Sequence, residues 1–115
     1  MSQTLPLIAL GGAAGSVLRH LMATAIGAPL GTAAVNVLGS FAIGMFFILL
    51  GREGWQVLLM TGLLGGFTTF SAFSLDTLKL IERGQPLQVL AYVAGSVALS
   101  LLAVALGAAI ARSLT

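Results

Sequence analysis

Phe70 and Phe73 stand three residues apart within Gly62-Leu63-Leu64-Gly65-Gly66-Phe67-Thr68-Thr69-Phe70-Ser71-Ala72-Phe73-Ser74. That spacing puts both rings on one face of a helix. Core packing is the ordinary meaning of such a pair, but these rings sit among hydroxyls. An aromatic edge carries partial positive charge, so two edges can meet a small anion without fixing it in place. Tyr92, Ser96 and Ser100 recur at i, i+4 and i+8 and draw one polar stripe along an otherwise apolar helix. The stripe serves either as interhelical glue, worth under about 2 kcal/mol per bond, or as the wall of a conduit. Asn36 offers two donors and an acceptor, which are costly to leave unpaired in hydrocarbon. It ties helices together or faces water or an ion. Arg19 lies inside an apolar run and must snorkel to the interface or line a wet vestibule. Its neighbour His20 reads as an interfacial residue with no assigned chemistry.

Enzymatic classes find little support. Cysteine is absent and His20 is the only histidine, so neither a metalloenzyme centre nor a nucleophilic triad can be assembled. The net charge of +2 is spread thinly and forms no basic patch, which argues against nucleic acid as a partner.

The elements that must position these groups follow from composition. The chain has 115 residues, 58% of them hydrophobic and 7% charged, against about 25% charged in a typical soluble domain. Uncharged stretches run Met1–Leu18, Leu21–Gly51, Gly54–Leu75 and Gly84–Ala111. Roughly 20 apolar residues cross the hydrocarbon core, and the second stretch is divided by the turn composition Gly27-Ala28-Pro29-Leu30-Gly31. The expectation is an all-α membrane protein, a single domain over residues 1–115 with four transmembrane helices near 5–26, 32–50, 55–80 and 87–111. The first span lacks a basic leading segment and a small-residue cleavage site, so it is read as a span and not a signal peptide.

The third span is predicted to break. Gly62, Gly65 and Gly66 each weaken a helix interior by about 1 kcal/mol relative to alanine, and the hydroxyls of Thr68 and Thr69 compete for backbone groups. Freed carbonyls suit a cation, the N-terminus of the following half-helix suits an anion, and Thr68, Thr69 or Ser71 can cap that half-helix. Gly11 and Gly15 give the first span a small-xxx-small face for close packing. Four spans put Arg52 and Arg112 on one side of the membrane and Arg19, Lys79 and Arg83 on the other. Two charges against three give almost no orientation signal, which permits insertion both ways and an antiparallel dimer.

With these strings in view, the whole chain resembles the Fluc (CrcB) family of small fluoride channels. The third-span string carries most of the resemblance. Gly11-Gly12-Ala13-Ala14-Gly15-Ser16-Val17-Leu18-Arg19 and Gly31-Thr32-Ala33-Ala34-Val35-Asn36-Val37-Leu38-Gly39-Ser40-Phe41 support it. It implies a dual-topology, antiparallel homodimer with two fluoride pores, exporting fluoride passively across the cytoplasmic (inner) membrane of a prokaryote. It implies that Phe70 and Phe73 turn ring edges to fluoride, that Asn36 is the pore asparagine, and that Tyr92, Ser96 and Ser100 form a polar track. Thr32, Thr69 and Ser71 add hydroxyls to the pathway, and Arg19 falls at its vestibule. Gly65 and Thr68 match positions whose backbone carbonyls hold a structural sodium ion at the dimer centre. Departures from the family pattern are His20 where an aromatic is common, Asp76 where glutamate is common, and Ala72 where threonine is common. The last removes a hydroxyl beside the phenylalanines.

Such a function is physically coherent. Fluoride is small and strongly hydrated, and a pore must replace its water with donors while binding weakly enough to release it. An uncharged set of amide, hydroxyl and aromatic-edge donors meets both demands. Two other classes compete. A small proton-coupled exporter needs an ionisable group within the membrane, whereas Asp76, Glu82 and Glu53 are read near span ends. A structural subunit would explain the glycines but not the paired phenylalanines at a weakened helix.

Overall fold

The computed structural model describes residues 4–51 and 53–115; Arg52, one of the charges in the orientation count, lies outside them. Every regular element among the described residues is helical. Helix α1 spans Thr4–Ile26 and α2 spans Leu30–Leu49. A third run begins with a short turn, α3 (Glu53–Trp55), and continues as a wide, π-type helix over Gln56–Leu64. It then passes through α4 (Gly65–Phe67) into α5 (Phe70–Glu82), and α6 (Pro86–Leu114) completes the chain. Four runs, Thr4–Ile26, Leu30–Leu49, Gln56–Glu82 and Pro86–Leu114, are long and apolar enough to cross a membrane. The 29 residues of α6 make roughly 44 Å of helix, more than the ~30 Å hydrocarbon core, so this helix tilts or protrudes.

The surface points to lipid. Val35 is the one large side chain that is fully buried among the described residues, while Leu5, Leu30, Phe47, Leu87 and Leu102 all stand mostly exposed. In water such a surface would aggregate; in hydrocarbon it is the stable arrangement. Without a hydrophobic drive, helices associate by close backbone approach, and glycines supply it. Helix α1 lies on the π-type segment and α4, and α2 lies along α6. A Cβ on Gly107 of α6 would overlap the Phe41 carbonyl of α2 and stand 3.2 Å from the Met45 nitrogen. Backbone cannot give way as a side chain can. Gly107→Ala is therefore expected to lower thermal stability in detergent by the overpacking cost of about 1–3 kcal/mol. Gly95→Ala on the same helix meets nothing within 4 Å and should be neutral or slightly stabilising.

The hairpin between α5 and α6 is closed by Gly84, whose φ of 68° is the left-handed conformation that glycine adopts at no steric cost. Its N–H donates to Ile81 O at 3.0 Å, and that of Gln85 donates to Leu80 O at 3.2 Å. These two bonds satisfy the last carbonyls of α5, and Pro86 then starts α6 at a position that needs no donor. The hairpin buries Phe73, Leu80 and Tyr92 as a small core with Ala33, Val89 and Val93 packed around it.

Candidate functional site

Thr68 and Thr69 are extended, with ψ of 155° and 125°, between the end of α4 at Phe67 and the start of α5 at Phe70. Of the three hydroxyls able to cap α5, Thr69 does so: its Oγ1 accepts from the Ala72 N–H at 3.1 Å and lies 3.3 Å from Ser71 Oγ. Thr68 Oγ1 turns back and donates to Leu64 O at 3.0 Å. Asn36, reaching across from α2, grips Thr69 at two points. Its Oδ1 accepts from the Thr69 N–H at 2.7 Å and its Nδ2 donates to the Thr69 carbonyl at 2.9 Å. The helix-tying reading of Asn36 thus holds, and one N–H of its amide is left over for the space it lines.

That space is an open cavity of about 420 Å³, walled by Asn36 and Ser40 from α2, Thr69, Phe70 and Phe73 from the third run, and Ser96 and Ser100 from α6. Gly65 and Thr68 also border it. Among the described residues no charged side chain lines it. Ser96 is 7% exposed, and its hydroxyl has no hydrogen-bond partner among the described residues, an unsatisfied group that calls for a ligand or water. The Phe70 and Phe73 rings lie 5.5 Å apart, tilted at 44°, and Phe73 meets Tyr92 at 5.1 Å and 35°. Phe73 is buried whereas Phe70 is 77% exposed.

A second cavity, about 260 Å³, is walled by Arg19, His20, Thr32 and Ala72 among others. Thr69 borders both cavities and is the wall they share, whereas Arg19 and Thr32 border only the second. Ser71 and Tyr92 border neither.

For two of the carbonyls around the end of α4, those of Gly65 and Thr68, the structure shows where the helical donor goes instead. In a continuous α-helix the Thr69 N–H would close on Gly65 O and the Ala72 N–H on Thr68 O. Here the first goes to Asn36 Oδ1 and the second to Thr69 Oγ1. Carbonyl oxygens relieved of their helical donors are hard ligands suited to an alkali or alkaline-earth cation. Among the described residues no group of His, Cys, Asp and Glu is placed to hold a metal, so any cation bound here relies on such carbonyls.

Asp76 lies six residues before the end of α5 at Glu82. It is 7% exposed, and the Tyr92 hydroxyl donates to its Oδ2 at 3.2 Å. No local pattern in the chain links the two. A usable signal was present all the same: both stand eight residues from Gly84, and in an antiparallel hairpin residues equidistant from the turn meet.

Four apolar spans, packed around one cavity lined by uncharged residues and a second that Arg19 and His20 border, define a multi-pass helical membrane protein. A family model described as "CrcB-like protein, Camphor Resistance (CrcB)" matches residues 6–108, and the chain belongs to that family. Its relatives include proteins named "Fluoride-specific ion channel FluC". The one from Paracoccus denitrificans (strain Pd 1222) is 49% identical, with 99% of this chain and 98% of the relative aligned. Those from Rhizobium etli (strain CIAT 652) and Chelativorans sp. (strain BNC1) are 50% and 51% identical, covering 94% and 96% of this chain and 95% and 97% of their own.

Proposed function

We propose that this chain is a fluoride-selective ion channel, and no enzyme, that lets fluoride leave passively across the cytoplasmic membrane of a prokaryote. Relatives of half-identical sequence bear that name. The observation that carries the reading is the first cavity, where the Asn36 amide, the Phe70 and Phe73 rings and the Ser96 and Ser100 hydroxyls converge without a charged side chain. A fixed cation there would trap fluoride; donors of this kind replace its water and let it go. The pathway runs from a vestibule at Arg19 and Thr32, past Thr69, into this cavity. Ser71 adjoins it through Thr69 Oγ1, and Tyr92 through the Phe73 ring.

The functional unit is an antiparallel homodimer with two pores. Phe70 and Gly65 are exposed in the single chain yet border the cavity, so a second copy would complete its open side. A structural sodium ion sits between the copies, held by the Gly65 and Thr68 carbonyls of each. The two diverted helical donors support this fit, and a bound sodium supplies a fixed positive charge that favours anions nearby.

Asp76 gives one observation to a second reading, a proton-coupled exporter, since a buried carboxylate within a span is what coupling requires. It borders neither cavity, which favours the channel. Liposomes holding only the purified protein distinguish the two. Fluoride efflux down its own gradient, with no imposed pH difference and with chloride retained, is the expected result. Efflux that needs a pH gradient would assign coupling, and sealed vesicles or equal chloride leak would overturn the channel reading.

A further inference from the structure

We propose that Asn36 and Thr69 are the positioning residues of the cation site, holding the Gly65 and Thr68 carbonyls open by drawing away the two N–H groups that would otherwise close on them. The inference rests on the sodium reading above and assigns Asn36 a task beyond lining the anion path. Its starting point is an exchange of partners. The Asn36 amide offers an acceptor and a donor in one plane, as a peptide group does, and it pairs with both backbone groups of Thr69, at 2.7 and 2.9 Å. Thr69 is thereby bonded like a residue in a ladder, its N–H no longer free to complete the helix. Thr69 in turn takes the Ala72 N–H onto its own hydroxyl at 3.1 Å. The two diversions are in series, because the extended backbone that Asn36 stabilises at Thr69 is what places Oγ1 over the first turn of α5.

Alternatives for holding the segment extended are few. Thr68 and Thr69 are not glycines, and their φ values of −86° and −151° are ordinary extended backbone, so nothing in their own stereochemistry forbids a helix. Gly65 and Gly66 lower the helix preference on the N-terminal side, but by only about 1 kcal/mol each. A lost backbone bond in lipid costs several times that, and the segment would close into a helix if the side-chain bonds were absent. Anion path and cation site are then one hydrogen-bonded unit: the Asn36 amide presents its spare N–H to the first cavity while its other two bonds shape the cation ligands.

The test is sodium-dependent stability of the purified protein in detergent, read as the shift in Tm between sodium chloride and the chloride of a bulky organic cation at equal ionic strength. Wild type is expected to melt higher in sodium. Asn36→Leu and Thr69→Val, each lacking one diversion, should lose most of that shift. Thr69→Ser, which keeps the capping hydroxyl, should restore it. Phe70→Ile, which removes a pathway group and leaves both diversions in place, should retain the full shift. If either Asn36→Leu or Thr69→Val fails to fold, the other still decides. A wild-type sodium shift undiminished in whichever variant folds would overturn the inference while leaving the sodium reading intact. The absence of any sodium shift in wild type would overturn the sodium reading itself.

Discussion

Phe70→Ile is expected to slow fluoride efflux from liposomes severely while the protein folds and assembles as wild type does. A contact to an ion is worth about 1.5–3 kcal/mol, and each 1.4 kcal/mol is tenfold in rate, so losing one ring edge should slow efflux by roughly ten- to a hundredfold or more. The choice of Phe70 over Phe73 matters. Phe73 is sandwiched between Phe70 and Tyr92 at 5.5 and 5.1 Å and belongs to the small core of the hairpin. Its replacement removes packing as well as a ring edge, and a slow mutant would have two explanations. Phe70 is 77% exposed in the single chain and meets Phe73 at 5.5 Å, so its replacement should cost little stability within one copy. Isoleucine keeps an apolar side chain and removes the aromatic edge. Efflux at the wild-type rate, followed with a fluoride electrode, would take Phe70 out of the pathway.

The four spans were legible because charge is so scarce: uncharged runs of this length have few other readings, and the glycine-proline turn after Ile26 divides the longest one. Thr68 and Thr69 are extended where glycines and hydroxyls lower the helix preference, whereas Asn36, which pairs with Thr69, lies 33 positions away and leaves no trace in local pattern. For the same reason the sequence left Asn36 poised between tying helices and facing an ion; one amide with three bonding positions does the first and has a hydrogen left for the second. The π-type winding of Gln56–Leu64 had no signal that we can identify. Ser71 shows the limit of reading by neighbourhood. It stands between two pathway candidates in sequence, yet on a helix its position points away from both cavities, and it meets the site only through Thr69. The polar stripe likewise divides: Ser96 and Ser100 border the cavity while Tyr92 turns to Asp76. A periodic pattern fixes a common face, and the neighbouring helices decide what each position along that face meets.

Tyr92→Phe is expected to destabilise the fold more than the simultaneous replacement of both partners. Its hydroxyl donates to the buried Asp76 carboxyl, and removing it leaves that group without this partner. A hydrogen bond contributes about 0.5–1.5 kcal/mol net, and a buried group left without its partner adds a desolvation penalty of about 1–3 kcal/mol. The double variant Tyr92→Phe, Asp76→Leu has no stranded group, and filling the same space with apolar atoms should recover most of the loss. Asp76→Leu alone should fall between, because a tyrosine hydroxyl left without its acceptor is less costly than a carboxyl left without its donor. The three variants' melting curves and that of wild type therefore form a double-mutant cycle with a coupling of more than about 1 kcal/mol. Additive losses would mean that the 3.2 Å contact carries no energy, and the pairing of α5 with α6 would then rest on Phe73 and Leu80 alone. The cycle also bears on transport. A hydroxyl that donates to Asp76 does not at the same moment donate to a passing anion, and the Tyr92 ring packs on Phe73 at 5.1 Å. Efflux from the double variant should accordingly survive in large part, since its phenylalanine at position 92 still supports that ring.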